Sequence, residues 1–150
     1  MKVRLAAGLA ALTLLAGAAP PPPAASPGTT VTVAVEGLRS HKGNVLACLT
    51  GNPRGFPDCT GDPSARHLSV AATGDVVLVF RDVPPGRYAI SLFHDENANG
   101  KLDKLMMMPR EGFGFSRNAP VRFGPPSFSA AAFDVAGGAV REAVRLRYML

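Results

Sequence analysis

The stretch Asp95-Glu96-Asn97-Ala98-Asn99-Gly100-Lys101-Leu102-Asp103 sets oxygen-bearing side chains at alternate positions around a glycine, a spacing that curls about one hard cation. It matches the first nine positions of an EF-hand-type calcium loop, with side-chain oxygens at positions 1, 3, 5 and 9, glycine at 6 and a backbone carbonyl, that of Lys101, at 7. Position 12, where a bidentate glutamate completes such a shell, is Met106. The shell therefore needs a carboxylate from elsewhere, and Glu111 is the nearest one downstream. The expected ligand set is Asp95, Asn97, Asn99, the Lys101 carbonyl, Asp103 and Glu111, holding a structural Ca2+ with Kd on the order of 10⁻⁴–10⁻³ M. The competing expectation is a metal-free turn, in which Asn99-Gly100 is left-handed and the Asx side chains bond their own backbone.

Other residues invite chemistry less strongly. His94 precedes the loop and suggests catalysis, but a lone histidine at a strand end is more often structural. Ser116 sits in Gly-Phe-Gly-Phe-Ser, which is not a nucleophile elbow. The chain is therefore expected not to be an enzyme. Met106-Met107-Met108 with His94 has copper-binding atom types, yet consecutive methionines more readily fill an irregular apolar gap. Phe113 and Phe115 lie among glycines, with Phe123 and Phe128 downstream; they form either a ligand-binding face or a core under a long loop. The absence of Trp weakens a sugar platform. Arg141, Arg145 and Arg147 read as a solvated strand face.

The elements that position these residues begin after an export signal. Lys2 and Arg4 precede an uncharged apolar run from Leu5 to Ala19, and Ala16-Gly17-Ala18 supplies the small-x-small pattern for cleavage after Ala18. That run is shorter than the roughly 20 residues that span a bilayer, so no membrane span is expected after cleavage. Residues 19–28 form a Pro/Ala-rich tether of polyproline character, and 29–150 form one domain. The formal charge of +5 falls to about +3 without Lys2 and Arg4, too weak and scattered for nucleic acid. A periplasmic or secreted location makes Cys48 and Cys59 a disulfide pair, worth about 2–4 kcal/mol. Their spacing is too wide for Cys-x-x-Cys redox chemistry.

Period-two patterning predicts strands throughout. Val31, Val33 and Val35 share one face; apolar runs follow at 44–49 and 67–72. Val76 to Phe80 is apolar on both faces, which predicts a strand in the sheet interior. Pro84-Pro85-Gly86 predicts a type II turn with positive φ at the glycine. Tyr88, Ile90 and Leu92 share one face of a strand that ends at His94. Residues 97–126 form a long glycine- and proline-punctuated segment, 128–135 suits either a strand or a short helical turn, and a last strand follows Gly137-Gly138. About seven short strands and no amphipathic helix after the signal argue for an all-β antiparallel sandwich.

Three strings occur together here: His94-Asp95-Glu96-Asn97-x-Asn99-Gly100-Lys101-Leu102-Asp103, then Pro109-Arg110-Glu111-Gly112-Phe113-Gly114-Phe115-Ser116, then Gly124-Pro125-Pro126-Ser127-Phe128. With Pro84-Pro85-Gly86-Arg87-Tyr88-Ala89 upstream, they resemble domain-of-unknown-function family 2141 from about Val31 onward. The resemblance implies a bacterial exported protein with an immunoglobulin-like or transthyretin-like sandwich and no established activity. Met106-Met107-Met108 departs from the family, which has a glycine shortly before the proline. The expected function is a non-enzymatic domain whose Ca2+ loop shapes an interaction surface with residues 111–116, for a protein or cell-surface polymer. The alternatives are a small-ligand or glycan module using Phe113 and Phe115, and a metal-free structural domain. The oligomeric state is not legible in the chain.

Overall fold

The computed structural model describes residues 28–150; the signal segment expected at 1–18, and the tether at 19–28 apart from Gly28, lie outside the described residues. The strands are β1 Thr29–Glu36, β2 Asn44–Thr50, β3 Arg66–Ala71, β4 Val76–Val83, β5 Gly86–Asp95, β6 Lys104–Leu105, β7 Met108–Pro109, β8 Gly112–Phe115, β9 Phe133–Val135 and β10 Val140–Arg145. Helix in the described residues is confined to a 3-10 turn at Ser116–Asn118 and α1, Phe128–Ala131. The fold is all-β. Seven of the strands have four residues or more; six of these fall on segments the sequence patterning marks as strands, while β8, like the short β6 and β7, lies in the 97–126 stretch read as one long loop segment.

A three-stranded sheet runs β10-β1-β4, with β1 parallel to β10 and antiparallel to β4. A five-stranded sheet runs β3-β2-β5-β8, with β9 paired to the first residues of β5. One hydrophobic cluster draws on both sheets: Val31, Val33 and Leu78 from the first meet Val45, Leu49 and Ile90 from the second, all buried. Each such side chain contributes about 1.5–3 kcal/mol of transfer free energy, so this shared core is what fixes the strand registers. The inward alternation of Val31, Val33 and Val35 leaves Ala34 and Glu36 outside.

Three local expectations are corrected. β4 lies at the edge of its sheet, and Val77 is 43% exposed, although the run is apolar on both faces. Periodicity reports which faces are apolar, not how many strands flank the run. The positive φ near Pro84-Pro85 falls on Asp82 (φ 54), while Gly86 opens β5 without one. Arg66 holds that turn by donating from Nη2 to the Asp82 carbonyl at 2.8 Å. The 128–135 stretch is both candidates in succession, α1 then β9, because Ser127 Oγ caps Ala130 N–H at 3.3 Å and starts a single helical turn.

Cys48 on β2 is bonded to Cys59, with Cα atoms 6.6 Å apart. The enclosed loop folds onto the outer face of the five-stranded sheet, where Phe56 packs edge-on against Phe115 and Phe128 at centroid distances of 5.7 and 6.1 Å.

Candidate functional site

β5 delivers Asp95 to the start of the loop, and its carboxylate is 1% exposed. One oxygen accepts Asn99 N–H at 3.1 Å and the other accepts Gly100 N–H at 2.7 Å. The side-chain oxygens of Asn97 and Asn99 accept the amides two residues on, at 3.1 and 2.9 Å, so two Asx turns coil the backbone inward. Gly100 takes φ 75. Both amide groups then donate to Asp103: Asn97 at 2.7 Å, Asn99 at 3.0 and 3.2 Å. These bonds, from Asn99 first and Asn97 second, hold the Asp103 carboxyl below the ordinary aspartate range.

Asn97, Asn99 and Asp103 thus converge, with Asp95 behind them. Glu111 is brought to the same loop and is 4% exposed. Its two oxygens accept Glu96 N–H at 3.0 Å and Asp103 N–H at 3.1 Å, tying the two ends of the loop together. The donor set suits a hard cation chemically. Among the described residues, however, no group of three His, Cys, Asp or Glu side chains stands close enough to hold a metal. A cation here would use Asp95 and Asp103 with the two asparagines, whose amides must turn their oxygens toward Asp103.

The outer face of the five-stranded sheet carries a cleft of about 860 Å³. Leu46, Phe93, Phe113 and Phe115 come from its strands, Pro57 from the disulfide loop, and Gly100 and Leu102 from the Asp95 loop. Met107 and Met108 of the β6–β7 hairpin and Phe123 of the following loop line it as well. Phe113 and Phe115 are 6% and 8% exposed and pack on each other at 6.1 Å. Residues 111–116 are all buried, so this stretch supplies cleft lining and a brace instead of an exposed surface. His94 is fully buried while Met106 is 88% exposed, which separates the two halves of the copper-type set.

A model of the family described as uncharacterized proteins conserved in bacteria (DUF2141) matches residues 33–143. The chain belongs to this family. The DUF2141 match spans parts of both sheets, the Asp95 loop and the cleft lining apart from Met149. No curated protein and no solved structure gives a match. The disulfide is compatible with an exported protein, as is the finding that no helix among the described residues is long and apolar enough to cross a membrane.

Behind the loop, this DUF2141 domain holds a polar network that sequence reasoning missed. His94 Nε2 faces the Lys42 carbonyl at 2.8 Å, so that nitrogen carries the proton, and Nδ1 accepts the Tyr148 hydroxyl at 2.8 Å. The Tyr148 oxygen accepts Arg39 N–H at 3.2 Å, and the Arg39 guanidinium lies 4.5 Å from the Tyr148 ring centroid. Arg39 Nε also donates to Glu96 at 3.0 Å, while Ser40 donates to the other Glu96 oxygen at 2.7 Å. Arg39 first, and Ser40 with it, lowers the Glu96 carboxyl; burial raises the Tyr148 phenol. Both His94 nitrogens are engaged. Ser116 is likewise committed, accepting Ile90 N–H at 2.9 Å and donating to the Ala131 carbonyl at 2.5 Å. Arg39 and Tyr148 lie far along the chain from His94, and no local pattern marks them.

Proposed function

We propose that this chain is an exported, non-enzymatic binding domain of immunoglobulin-like or transthyretin-like sandwich architecture that seats a small, largely apolar ligand in the cleft over its five-stranded sheet. The observation that carries the reading is the cleft itself. Its volume of about 860 Å³ lies within the ~300–1,000 Å³ of small-molecule sites. Its lining is aromatic and thioether-rich, with His67, Ser69, Lys104 and Arg122 as polar groups that would orient a ligand. The apolar strand face and the absence of Trp favour an apolar ligand over a sugar.

A structural Ca2+ in the Asp95–Asp103 loop belongs to the same reading, because Gly100 and Leu102 of that loop line the cleft. A cation drawing Asn97, Asn99 and Asp103 together would stiffen that wall. Two measurements test the two parts separately. Titration with a fluorescent single-chain fatty acid should give saturable, one-to-one binding. Ser69→Trp, at an exposed strand position in the cleft, should abolish it without moving the melting midpoint; undiminished binding to that variant would remove the cleft from the reading. Melting in Ca2+ at ~100 times Kd should raise stability by about 2.7 kcal/mol over chelator, and identical midpoints up to several millimolar Ca2+ would remove the cation.

A further inference from the structure

We propose that the mouth of the cleft docks on the surface of an anionic lipid bilayer through two apolar loop tips, one at Met106-Met107 and one at Phe123. The tips are exposed to an unusual degree: Met106 is 88%, Met107 91% and Phe123 107% accessible. The backbone holds the first tip out. β6 and β7 are joined by Met106 and Met107 alone, both at positive φ (49 and 72), as a type I′ turn requires. Asn-Gly suits that turn best. Two methionines there carry a backbone strain that turning the chain does not need, and the outcome is two long apolar side chains aimed at solvent.

Met107 and Phe123 line the same cleft, as do Lys104 and Arg122. Lys101 and Arg110 flank the hairpin in the chain. Among nearby acids, Asp103 is engaged by Asn97 and Asn99, and Glu111 is buried on two backbone amides. Asp58 is the acidic residue that lines the cleft. Protruding apolar tips among cations match a bilayer interface, where thioethers and rings enter the headgroup–acyl boundary and lysine or arginine meets anionic headgroups. The inference stands on the tips and cations and does not depend on what the cleft holds.

The chain contains no tryptophan, so single substitutions make unambiguous reporters. Phe123→Trp and Met106→Trp place the reporter on each tip; Val77→Trp, at a 43% exposed position of β4, places it on the other sheet. Full-length variants are mixed with vesicles of phosphatidylglycerol and phosphatidylcholine, or phosphatidylcholine alone, carrying brominated acyl chains. The expected result is quenching at both tips with the anionic vesicles, none at position 77, and vesicle affinity about 5-fold weaker for each of Lys104→Gln and Arg122→Gln. Unquenched tips, quenching that is equal at position 77, or equal quenching by neutral vesicles would each overturn the proposal. So would concentration-dependent dimerisation abolished by Phe123→Ser, which would assign the tips to a second copy of the chain.

Discussion

Replacing Glu111 with alanine should be among the most damaging single changes in the loop. Its carboxylate is 4% exposed and accepts one backbone N–H from each end of the loop, at 3.0 and 3.1 Å. Alanine leaves both donors without their partner, at about 1–3 kcal/mol each, for a loss of about 4 kcal/mol. In a domain of this size 1 kcal/mol moves the midpoint by roughly 3–5 °C, so the melting temperature should fall by about 12–20 °C. Glu111→Gln keeps one acceptor oxygen and should lose about half as much. The assay is thermal melting followed by far-UV circular dichroism, in chelator and in millimolar Ca2+. A fall below about 2 °C for alanine would refute the brace. A fall seen only with Ca2+ present would assign Glu111 to the cation instead of the two amides.

Tyr148→Phe removes the hydroxyl that joins His94 Nδ1 to Arg39 N–H and should cost about 1–3 kcal/mol in urea unfolding with an unchanged m-value. Asp103, Glu96 and Asp62 all have carboxyls lowered in the folded state, by Asn99, Arg39 and Ser64 respectively as the largest cause. Lowered folded values mean stability that is complete above the unfolded carboxylate range near pH 4 and lost as pH falls through the folded values. Urea midpoints should therefore drop below about pH 4, and Asn97→Ala with Asn99→Ala should shift the Asp103 titration, followed by carboxyl NMR, to higher pH. The Tyr148 phenol is raised, so its contribution is present below about pH 10 and is lost as pH climbs past it. Reducing Cys48–Cys59 should cost about 2–4 kcal/mol and weaken fatty-acid binding, because the bridged loop supplies Pro57 to the cleft.

The sequence discloses what is local. The Asp95 loop is legible because its oxygens and its glycine fall within nine residues, and the Asx turns need no distant partner. β1 is legible because Val31, Val33 and Val35 alternate, but its parallel pairing with β10 joins the two ends of the domain and leaves no trace in either segment. The edge position of β4 is hidden for the same reason: strand neighbours are set by the whole topology. Glu111 is identifiable as the acid that closes the loop, yet it closes it on backbone amides, a partner that carries no residue signature. Phe113 and Phe115 are recognisable as either core or ligand face, and in the structure they are buried rings that also line the cleft. The cleft walls come from loops separated by dozens of residues, so neither its volume nor the part played by Met107 and Phe123 shows in the pattern. Arg39 and Tyr148 are missed entirely, since the His94 network exists only once β5 and the C-terminal residues meet.

The most direct test of the binding cleft is chemical-shift mapping of the isotope-labelled protein titrated with decanoate. The expected perturbations cluster on Leu46, Ser69, Phe93, Phe113 and Phe115, with the Leu102 amide following as the adjoining loop wall responds. Saturable shifts confined to the three-stranded sheet, or no saturable shifts at all, would contradict the assignment of the five-stranded sheet's outer face as the ligand site.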